Sequence, residues 1–441
     1  TETLDFLGQP GTPVAGRAPV MAPGNLRGFF TLQAKYGRLD WRELVRPAED
    51  MARFGVKVTR ASAAEMRAGS GVLAASPKAR ALFSEGAAGV LSEGGLLKQL
   101  PLSAVLAKIR EKGAGVLYNG KYAQDFAAAA AAAGGALSYE DLRRNKPTWR
   151  PSLEIPFTGT SKFYFAAPRT QAGTFGAKVM AVLADGQRYQ KADEGERAHL
   201  FAEAVQRALL DGGRGFSSAQ SADDKVEVIR LAKGYAGRLM ETYDDKRAVQ
   251  FEAKAMSRLS PASGPAGTSF SVIDYEGGAV TCALTMNGLF GSGRVADGFG
   301  VILAQPPQSP TVRDLSLGSM MLIHKLKGGI YFAASASGGP AAQAAMTEVA
   351  IRTAADTADS LEKALARARI FRDPVDGVTY VEKGLDRARS DGLTARGHRL
   401  VTAPSSSKIN AVFCTTGVPS ENLSCEIRTD PRGSGMATSP N

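Results

Sequence analysis

The segment Gly-Thr-Ser-Phe-Ser-Val-Ile-Asp at residues 267–274 decides the fold of this chain. It is followed by Gly-Gly-Ala-Val at residues 277–280 and by Thr-Met-Asn-Gly-Leu-Phe-Gly at residues 285–291. Paired glycines between two runs of strand-forming residues are typical of a hairpin turn. The sequence therefore predicts two β-strands around a tight turn, with a glycine-rich loop after the second strand.

The regions on either side of this hairpin differ in character. Helical patterns cluster before about residue 256, whereas strand-like segments dominate from about residue 267. Residues 260–267, Ser-Pro-Ala-Ser-Gly-Pro-Ala-Gly, have the composition of a linker. We therefore expect a helix-rich region 1–259, the linker 260–267 and a strand-rich region 268–441, all within one integrated globular unit. An α+β fold of αββα type, in which helices cover two stacked sheets, fits this order.

Two helices carry specific predictions. Residues 40–52 have helical spacing. The members of the predicted apolar face are Leu44, Ala48, Met51 and Ala52. A second helix is predicted from Leu361 to Phe371, with Asp359 as its N-cap and Glu362 closing a capping box.

Composition and charge restrict the class of protein and its partners. With 44% hydrophobic and 22% charged residues among 441, the chain is typical of a globular protein. The formal charge is +11, from 54 Lys and Arg against 43 Asp and Glu. No dense Lys/Arg stripe is interleaved with aromatic residues, so we do not expect nucleic acid as a partner. An acidic protein surface, anionic lipid headgroups at a membrane surface, or a basic surface without a specific partner remain open.

The cysteines bear on the compartment. Cys414 and Cys425 bracket a turn-rich stretch between two β-like runs, and a hairpin would bring their sulfurs to bonding distance. A disulfide there would imply an oxidising, periplasmic or other extracytoplasmic compartment, and two free thiols are the alternative. Cys282 alternates with apolar neighbours and is expected to be a small buried residue.

The histidines do not indicate a metal site. His199, His324 and His398 are far apart in sequence, and no Cys/His spacing is typical of zinc. No glycine-rich phosphate loop precedes a helix. We expect no cofactor and no metal, and a structural role for all three histidines.

The hairpin with its glycine-rich loop resembles the segment that opens the small subunit of γ-glutamyltranspeptidases, which are N-terminal-nucleophile (Ntn) hydrolases. Other motifs resemble that family in the same order along almost the entire chain: Lys35–Trp41 with Pro47-Ala48, Ala133-Gly134-Gly135 with Glu140-Asp141-Leu142, Pro168–Gly173, Leu317–Met320, Ser337-Gly338-Gly339 and Ala395–His398. The resemblance implies an Ntn-hydrolase αββα sandwich. It also implies a leading large-subunit segment, with helices and central strands, that would precede Thr1.

The resemblance implies a nucleophile that this chain lacks. In the family a Thr opens the motif, is freed by self-cleavage and attacks the substrate, but the matching residue here is Gly267. Glycine offers no hydroxyl for either step. Thr268 is the fallback nucleophile, yet a slip of one residue along a strand turns the side chain to the opposite face. We expect Gly267 to leave the chain uncleaved.

The substrate-binding motifs are also degenerate. Leu7 stands where the family's Arg grips the substrate carboxylate, and an isobutyl group cannot replace a guanidinium there. Residues 304–310, Ala-Gln-Pro-Pro-Gln-Ser-Pro, replace a run whose Asp binds the substrate amine. The resemblance assigns three groups of vestigial site residues: Thr285 and Asn287 as supports of the nucleophile and glutamyl group, Ser319 in a substrate-binding loop, and Gly338 and Gly339 as the oxyanion hole. The alternatives are that Thr285 and Asn287 satisfy backbone groups at a strand end and that the two glycines serve close packing or a tight turn. The resemblance also implies a late surface turn at Ala395–His398.

Three hypotheses follow. The first is an inactive γ-glutamyltranspeptidase-like pseudoenzyme that serves as a scaffold or accessory subunit for other protein subunits. The second is an active amide hydrolase or transpeptidase that uses Thr268. The third is a binding module that keeps a pocket for a small ligand without reacting with it.

Overall fold

A computed structural model describes residues 1–84, 89–166, 171–212, 216–220, 227–251, 261, 267–307, 317–324, 329–355 and 359–439. Its helices are α1 Asn25–Tyr36, α2 Trp41–Phe54, α3 Arg60–Ala68, α4 Ser70–Ala74, α5 Pro77–Phe83, α6 Leu100–Lys112, α7 Gly120–Ala132, α8 Tyr139–Arg144, α9 Gln171–Ala184, α10 Arg188–Lys191, α11 Glu194–Asp211, α12 Tyr235–Leu239, α13 Pro340–Ala354, α14 Leu361–Ala366 and α15 Arg387–Ala395, with 3₁₀ turns at Ala114–Leu117 and Asp185–Gln187.

The strands are β1 Glu2–Asp5, β2 Ala18–Pro19, β3 Val56–Lys57, β4 Leu96–Leu97, β5 Gly135–Ala136, β6 Thr148–Pro151, β7 Leu153–Pro156, β8 Ser161–Phe165, β9 Phe216–Gln220, β10 Glu227–Leu231, β11 Gly267–Ile273, β12 Ala279–Thr285, β13 Val295–Ala296, β14 Val301–Ile302, β15 Leu317–His324, β16 Gly329–Ser337, β17 Ile370–Arg372, β18 Val378–Val381, β19 Arg399–Thr402, β20 Lys408–Val418 and β21 Cys425–Thr429.

The chain forms two compact units. The sheet unit comprises Thr1–Thr3, Arg150–Thr285 and Ser309–Asn441, and the helical unit comprises Leu4–Trp149 and Met286–Gln308. The predicted mixed helix and sheet class is confirmed. Of the predicted linker 260–267, only Pro261 and Gly267 are among the described residues. The division of the sequence at that linker, and the single integrated unit, stay predictions.

The sheet unit is built on an eight-stranded sheet in the order β21-β20-β16-β15-β8-β7-β10-β9. Phe332, Ala334 and Ala336 of β16 face a core that they share with α9, α11 and α13. The alternate residue Ser335 points to the other face, where the hairpin β11–β12 packs. Small residues along α13 let this buried helix approach the sheet and α9 closely. Helices, sheet and hairpin thus form successive layers.

The predicted hairpin is confirmed. Strands β11 and β12 pair antiparallel in a register that runs from Gly267 opposite Thr285 to Ile273 opposite Ala279. The Asp274 carboxylate accepts hydrogen bonds from the backbone N–H groups of Glu276 and Gly278 at 3.0 and 2.7 Å, which closes the turn. Gly277 has φ +88°, a left-handed conformation that favours glycine.

The C-terminal hairpin is also as predicted. Cys414 of β20 lies directly opposite Cys425 of β21, and the two form a disulfide. Cys282 in β12 is a buried free thiol, and burial raises its pKa to about 12. A buried, protonated thiol of this kind is inert toward oxidation and exchange.

The predicted apolar face of α2, in the helical unit, is wrong. Val45, Glu49 and Ala52 are the buried residues of this helix, whereas Leu44 and Met51 are 46% and 57% exposed. The reason is an ion pair, because Arg110 of α6 lies 2.7 Å from the buried Glu49 carboxylate. A carboxylate can be buried when it is paired with a cation. The ion pair therefore allows the helix face formed by Val45, Glu49 and Ala52 to pack inward.

The predicted helix from Leu361 to Phe371 is also corrected. The helix α14 ends at Ala366, and residues 370–372 form β17. Ser360, rather than Asp359, is the N-cap, because its side chain accepts a hydrogen bond from the Lys363 backbone N–H. The Asp359 carboxylate is instead held by Arg367 at 2.9 Å, so it is not available to cap the helix.

Candidate active site

The position expected to hold a nucleophile begins β11. Gly267 pairs with Thr285 at the open end of the hairpin, and its lack of a side chain leaves no oxygen there. Thr268 comes next and is exposed on the outer face, the face of Phe270 and Val272. The alternation predicted from the sequence therefore holds, and Thr268 points away from the layer beneath. The catalytic roles assigned to Gly267, Thr268 and Thr285 stay predictions.

A polar network lies under the inner face of β11, and sequence reasoning missed it. The Ser271 hydroxyl donates to Ser335 Oγ at 3.1 Å, and Ser335 is fully buried. Asn410 Nδ2 donates to the backbone carbonyl and to the hydroxyl of Ser269, at 2.8 and 3.0 Å. Strict alternation of serines with Phe270 and Val272 was the signal that could have revealed this row. Its members are neutral, so the network fixes the hairpin on the sheet and supplies no proton acceptor of the kind that activates a hydroxyl.

The glycine pair after β16 has a structural reason. Gly338 and Gly339 have φ +116° and +84°, and a Cβ on Gly338 would lie 2.1 Å from the backbone oxygen of Ser406. The Ser406 hydroxyl also donates to the Gly338 carbonyl at 2.6 Å. Gly339 then caps α13, whose first residue, Pro340, has no N–H to offer. Close packing accounts for Gly338 and the left-handed φ for Gly339, and the oxyanion-hole role stays a prediction.

Ser406 also contacts Pro261, one of the two described residues of the predicted linker. The backbone N–H and the hydroxyl of Ser406 both approach the Pro261 carbonyl, at 2.9 and 3.0 Å. Pro261, six residues before Gly267, therefore lies next to the segment that contacts Gly338.

The segment from Leu317 to Met320 is part of strand β15, so the prediction of a loop there is wrong. Ser319 is paired directly opposite Ser335 of β16. Gly318 leaves room for a neighbouring helix, because a Cβ at that position would lie 1.6 Å from Gln343 Oε1 of α13. A serine at position 318 would require the Gln343 side chain to move.

Asn287 and Leu7 belong to the helical unit. Asn287 Nδ2 donates to the Gln305 carbonyl and Gln305 Nε2 donates to the Asn287 carbonyl, both at 2.8 Å. Asn287 has φ +60°, so this reciprocal pair stabilises a left-handed residue. The Leu7 backbone N–H donates to Asp5 Oδ1 at 3.1 Å. Residues 308–310 of the proline-rich run lie outside the described residues.

Two histidines far apart in sequence meet in the core. The predicted surface turn is present at Arg396 and Gly397, and His398 directly after it is buried. His199 and His398 are both buried, and His199 Nδ1 lies 2.7 Å from His398 Nε2. Arg372 donates to His398 Nδ1, so the proton of His398 resides on Nε2 and is donated to His199. His199 in turn donates from Nε2 to the Asp244 carbonyl at 2.8 Å. Both rings are neutral links in one hydrogen-bonded chain.

Glu203 lies beside this pair, and the three residues together have the composition of a metal site, with ligand atoms within 4.8 Å of one another. Both carboxylate oxygens of Glu203 already face guanidinium groups, however. Arg372 lies 2.6 Å from one Glu203 oxygen and Arg207 lies 3.1 Å from the other. Two guanidinium groups repel a cation, so the arrangement favours a structural network. The side chain of His324 lies outside the described residues.

Burial and nearby cations keep the two rings neutral. Desolvation, together with Arg396 and Arg372, lowers the pKa of His199 to about 4. Desolvation, Arg372 and the His199 ring lower the pKa of His398 to about 2. A buried imidazole that is neutral at pH 7 and has both nitrogens engaged has no proton to exchange with a substrate.

A family model of gamma-glutamyltranspeptidase matches residues 2–439, which is almost the full chain. The chain belongs to the gamma-glutamyltranspeptidase family. The resemblance of the hairpin and of the ordered motifs is thereby confirmed.

Relatives in the gamma-glutamyltranspeptidase family include acylases and hydrolases made as proenzymes. The chain is 29% identical to the acylase ACY 1 proenzyme of Pseudomonas sp. (strain SE83), over 89% of this chain and 70% of the relative. It is 25% identical to the glutathione hydrolase proenzyme of Arthroderma benhamiae, over 90% of this chain and 73% of the relative.

The fold also matches that of a solved family member. The crystal structure of cephalosporin acylase from Bacillus halodurans superposes with a TM-score of 0.74 at 18% identity, over 100% of this chain and 85% of that one. This likeness shows the fold and supports the predicted Ntn-hydrolase class. Among the described residues, no helix combines the length and the apolar character needed to span a bilayer.

Proposed function

We propose that this chain is an uncleaved, catalytically inactive member of the gamma-glutamyltranspeptidase family, which acts as a scaffold or accessory subunit of a larger assembly. The observation that carries the proposal is Gly267 at the start of β11. Self-cleavage and attack on the substrate both need a hydroxyl or thiol at that position, and glycine provides neither.

Thr268 does not replace the missing group. Its side chain is exposed on the outer face of the hairpin, whereas Ser269 and Ser271 occupy the inner face. A catalytic Thr268 would require β11 to shift by one residue against β12. Such a shift would turn Phe270 and Val272 inward and break the hydrogen bonds to Ser335 and Asn410.

Apart from the missing nucleophile, the residues expected to bind the substrate are also changed. Leu7 cannot form the paired hydrogen bonds that a guanidinium gives to a carboxylate. The segment Gln305-Pro306-Pro307 offers no carboxylate to a substrate ammonium, and Gln305 is engaged with Asn287. Losses at three separate groups argue against γ-glutamyl chemistry.

The outer face of the hairpin fits a partner subunit. Phe270 and Val272 are 37% and 56% exposed side by side on β11. Exposed neighbouring apolar side chains on a sheet favour association. The Cys414–Cys425 disulfide favours an extracytoplasmic, for example periplasmic, location.

The names of the relatives favour amide hydrolysis as the competing function, and one experiment decides between the two. Purified protein is incubated at pH 5–9. Its molecular mass is measured by mass spectrometry, and its turnover of γ-glutamyl-p-nitroanilide and glutathione is assayed. We expect one intact species of the 46.2 kDa chain, and no turnover above that of the Thr268→Ala variant. Two fragments that divide near residue 267, or turnover that Thr268→Ala abolishes, would overturn the proposal.

A further inference from the structure

A pocket with a positively charged lining lies on the helical unit. Its volume is about 340 Å³, within the range of small-molecule sites. We call it the basic pocket, and its lining consists of Arg27, Asn119, Glu140, Arg143, Arg144 and Lys146. Four of these side chains are cations and one is a carboxylate, so the lining carries a net charge of +3. All six belong to the helical unit, so the basic pocket is independent of the hairpin and the glycine pair of the sheet unit.

Arg27 of α1 is the fixed part of the basic pocket. Its Nη1 donates to three carbonyls where α8 ends, those of Leu142, Arg143 and Asn145, at 3.2, 3.2 and 2.6 Å. Its guanidinium also stacks over the Tyr118 ring, 4.0 Å from the centroid. These contacts hold the guanidinium in place before any ligand arrives, which lowers the entropic cost of binding.

The charge of Arg27 lacks a counter-ion. Among the described residues no carboxylate pairs with its guanidinium, and its Nε and Nη2 make no hydrogen bond. Arg27 is partly buried, and desolvation lowers its pKa. The carbonyls at the end of α8 supply only partial negative charge. A partly buried cation without a partner is unfavourable, and a bound anion would remove that cost.

The other cations differ in how far they are already paired. Lys146 is exposed and forms no ion pair within the described part of the chain. Arg143 lies 3.3 Å from Glu140, and because both are more than half exposed, this pair is weak. Arg144 lies 2.7 Å from the buried Asp141 and keeps further donors. A ligand can therefore recruit Lys146 and Arg143 without breaking a buried contact.

The start of α7 adds to the positive potential. Asn119 is the N-cap residue of this 13-residue helix and part of the lining, but its side chain does not cap the helix. The N-terminus of a helix carries a partial positive charge. It therefore favours a ligand of the same sign as the four cations do.

We propose that the basic pocket binds a phosphate monoester group. Such a group carries up to two negative charges at pH 7 and three acceptor oxygens, so several of the cations can contact it at once. Nε and Nη2 of Arg27 form one edge of the guanidinium, the geometry that takes two oxygens of one phosphate. A carboxylate has one charge and two oxygens, and it would leave most of the +3 lining unbalanced. The lining holds no large apolar side chain that would select an apolar ligand.

Isothermal titration calorimetry of the full chain tests the proposal. The probes are sodium phosphate and glycerol 3-phosphate, in HEPES at pH 7.5 with 50 mM NaCl. We expect one site per chain for each probe, whereas sodium chloride added to the same ionic strength should give no saturable heat. Arg27→Gln should weaken binding at least tenfold, because it removes the paired donors.

Two variants at exposed residues keep the test independent of folding. Lys146→Gln should weaken binding at least threefold. Arg67→Gln, the same loss of charge at an exposed residue of α3, should leave the affinity within twofold. Circular dichroism shows whether each variant is folded. If Arg27→Gln does not fold, Lys146→Gln and the variant below decide.

Glu140→Gln should increase the affinity for phosphate. It removes the one carboxylate among the described residues that line the pocket, and it releases Arg143. We expect binding at least twofold tighter, a gain that a misfolded variant cannot produce. The proposal is overturned if neither probe binds up to about 10 mM. It is also overturned if neither Lys146→Gln nor Glu140→Gln alters the affinity.

Vesicle flotation identifies the source of the phosphate group. Phosphatidic acid in phosphatidylcholine vesicles presents the monoester at a lipid surface, and vesicles of phosphatidylcholine alone are the control. Flotation that Lys146→Gln abolishes and free phosphate competes away would assign the group to a lipid headgroup. Binding of glycerol 3-phosphate without such flotation would assign it to a soluble ligand. Either outcome supports a phosphate site in the basic pocket.

Discussion

The buried pair His199–His398 predicts a specific loss of stability in acid. The pKa of each ring in the folded protein lies below the ordinary value of 6.5. Below pH 6.5 the unfolded chain therefore binds more protons at these two histidines than the folded protein does. The free energy of unfolding is therefore unaffected by these groups above pH 6.5 and decreases as the pH falls below it. Each histidine contributes a slope of about 1.4 kcal/mol per pH unit.

The loss of unfolding free energy depends on how far the pKa of each histidine in the folded protein lies below its pKa in the unfolded chain. His199 titrates at about pH 4 in the folded protein, so it alone costs about 3 kcal/mol between pH 6.5 and pH 4. His398 adds a similar loss over the same interval. The sum approaches the total stability of a typical domain, about 5–15 kcal/mol. We expect the sheet unit to lose about 6 kcal/mol of unfolding free energy between pH 6.5 and pH 4.

The variant His199→Gln isolates one of the two slopes. At pH 7.5 it should be less stable than the wild type by about 1–2 kcal/mol, because glutamine cannot keep both hydrogen bonds. Its slope below pH 6.5 should be smaller by about 1.4 kcal/mol per unit. The two stability curves should therefore cross at about pH 5.5, and below that pH the variant should be the more stable protein.

Urea unfolding followed by circular dichroism at pH 7.5, 6.5, 5.5 and 4.5 measures both curves. Thr379→Val is the matched control, because it removes a 2.9 Å hydrogen bond to His398 Nδ1 and no ionisable group. Its stability curve should run parallel to that of the wild type. A difference between His199→Gln and the wild type that stays constant from pH 7.5 to 4.5 would refute the neutral-pair interpretation.

Two further changes test the packing of the sheet unit. Glu348→Gln should destabilise the protein by about 3–5 kcal/mol in urea, because it leaves the buried Arg352 and Arg389 without their shared carboxylate at 3.2 and 2.7 Å. The exposed Glu362→Gln should change stability by less than about 0.5 kcal/mol, and equal effects would contradict the role of the buried network. Gly338→Ala should cost more than about 2 kcal/mol of thermal stability, since its Cβ meets a backbone oxygen. Gly71→Ala, which has open space around it, should be neutral or stabilising, and similar melting temperatures for the two variants would argue against the close approach at Gly338.

Local patterns in the sequence predicted the hairpins well. The turn at Asp274–Gly278 and the pairing of Cys414 with Cys425 depend on residues that are close in the chain, so turn chemistry and strand composition suffice. The chemical identity of Gly267 is likewise readable without coordinates, because the absence of a hydroxyl does not depend on the fold. The catalytic role of the site stays a prediction.

Long-range partners explain where sequence reasoning was wrong. The inward face of α2 is selected by Arg110, 61 residues after Glu49, and periodicity alone cannot choose between two faces that both carry apolar residues. His199 and His398 meet across 199 residues, and no spacing in the sequence indicates that contact. At Leu317–Met320, pairing with β8 and β16 makes a strand of residues that resemble a substrate loop.

The state of the three cysteines has a practical consequence. Two are joined to each other, and the third, Cys282, is buried with a pKa of about 12, so only about one molecule in 10⁵ carries its thiolate at pH 7. Maleimide dyes react with the thiolate, and a cysteine introduced at the surface would therefore be labelled selectively in the native sequence background. Pairs of fluorophores could then report distances within either unit without removing any natural cysteine.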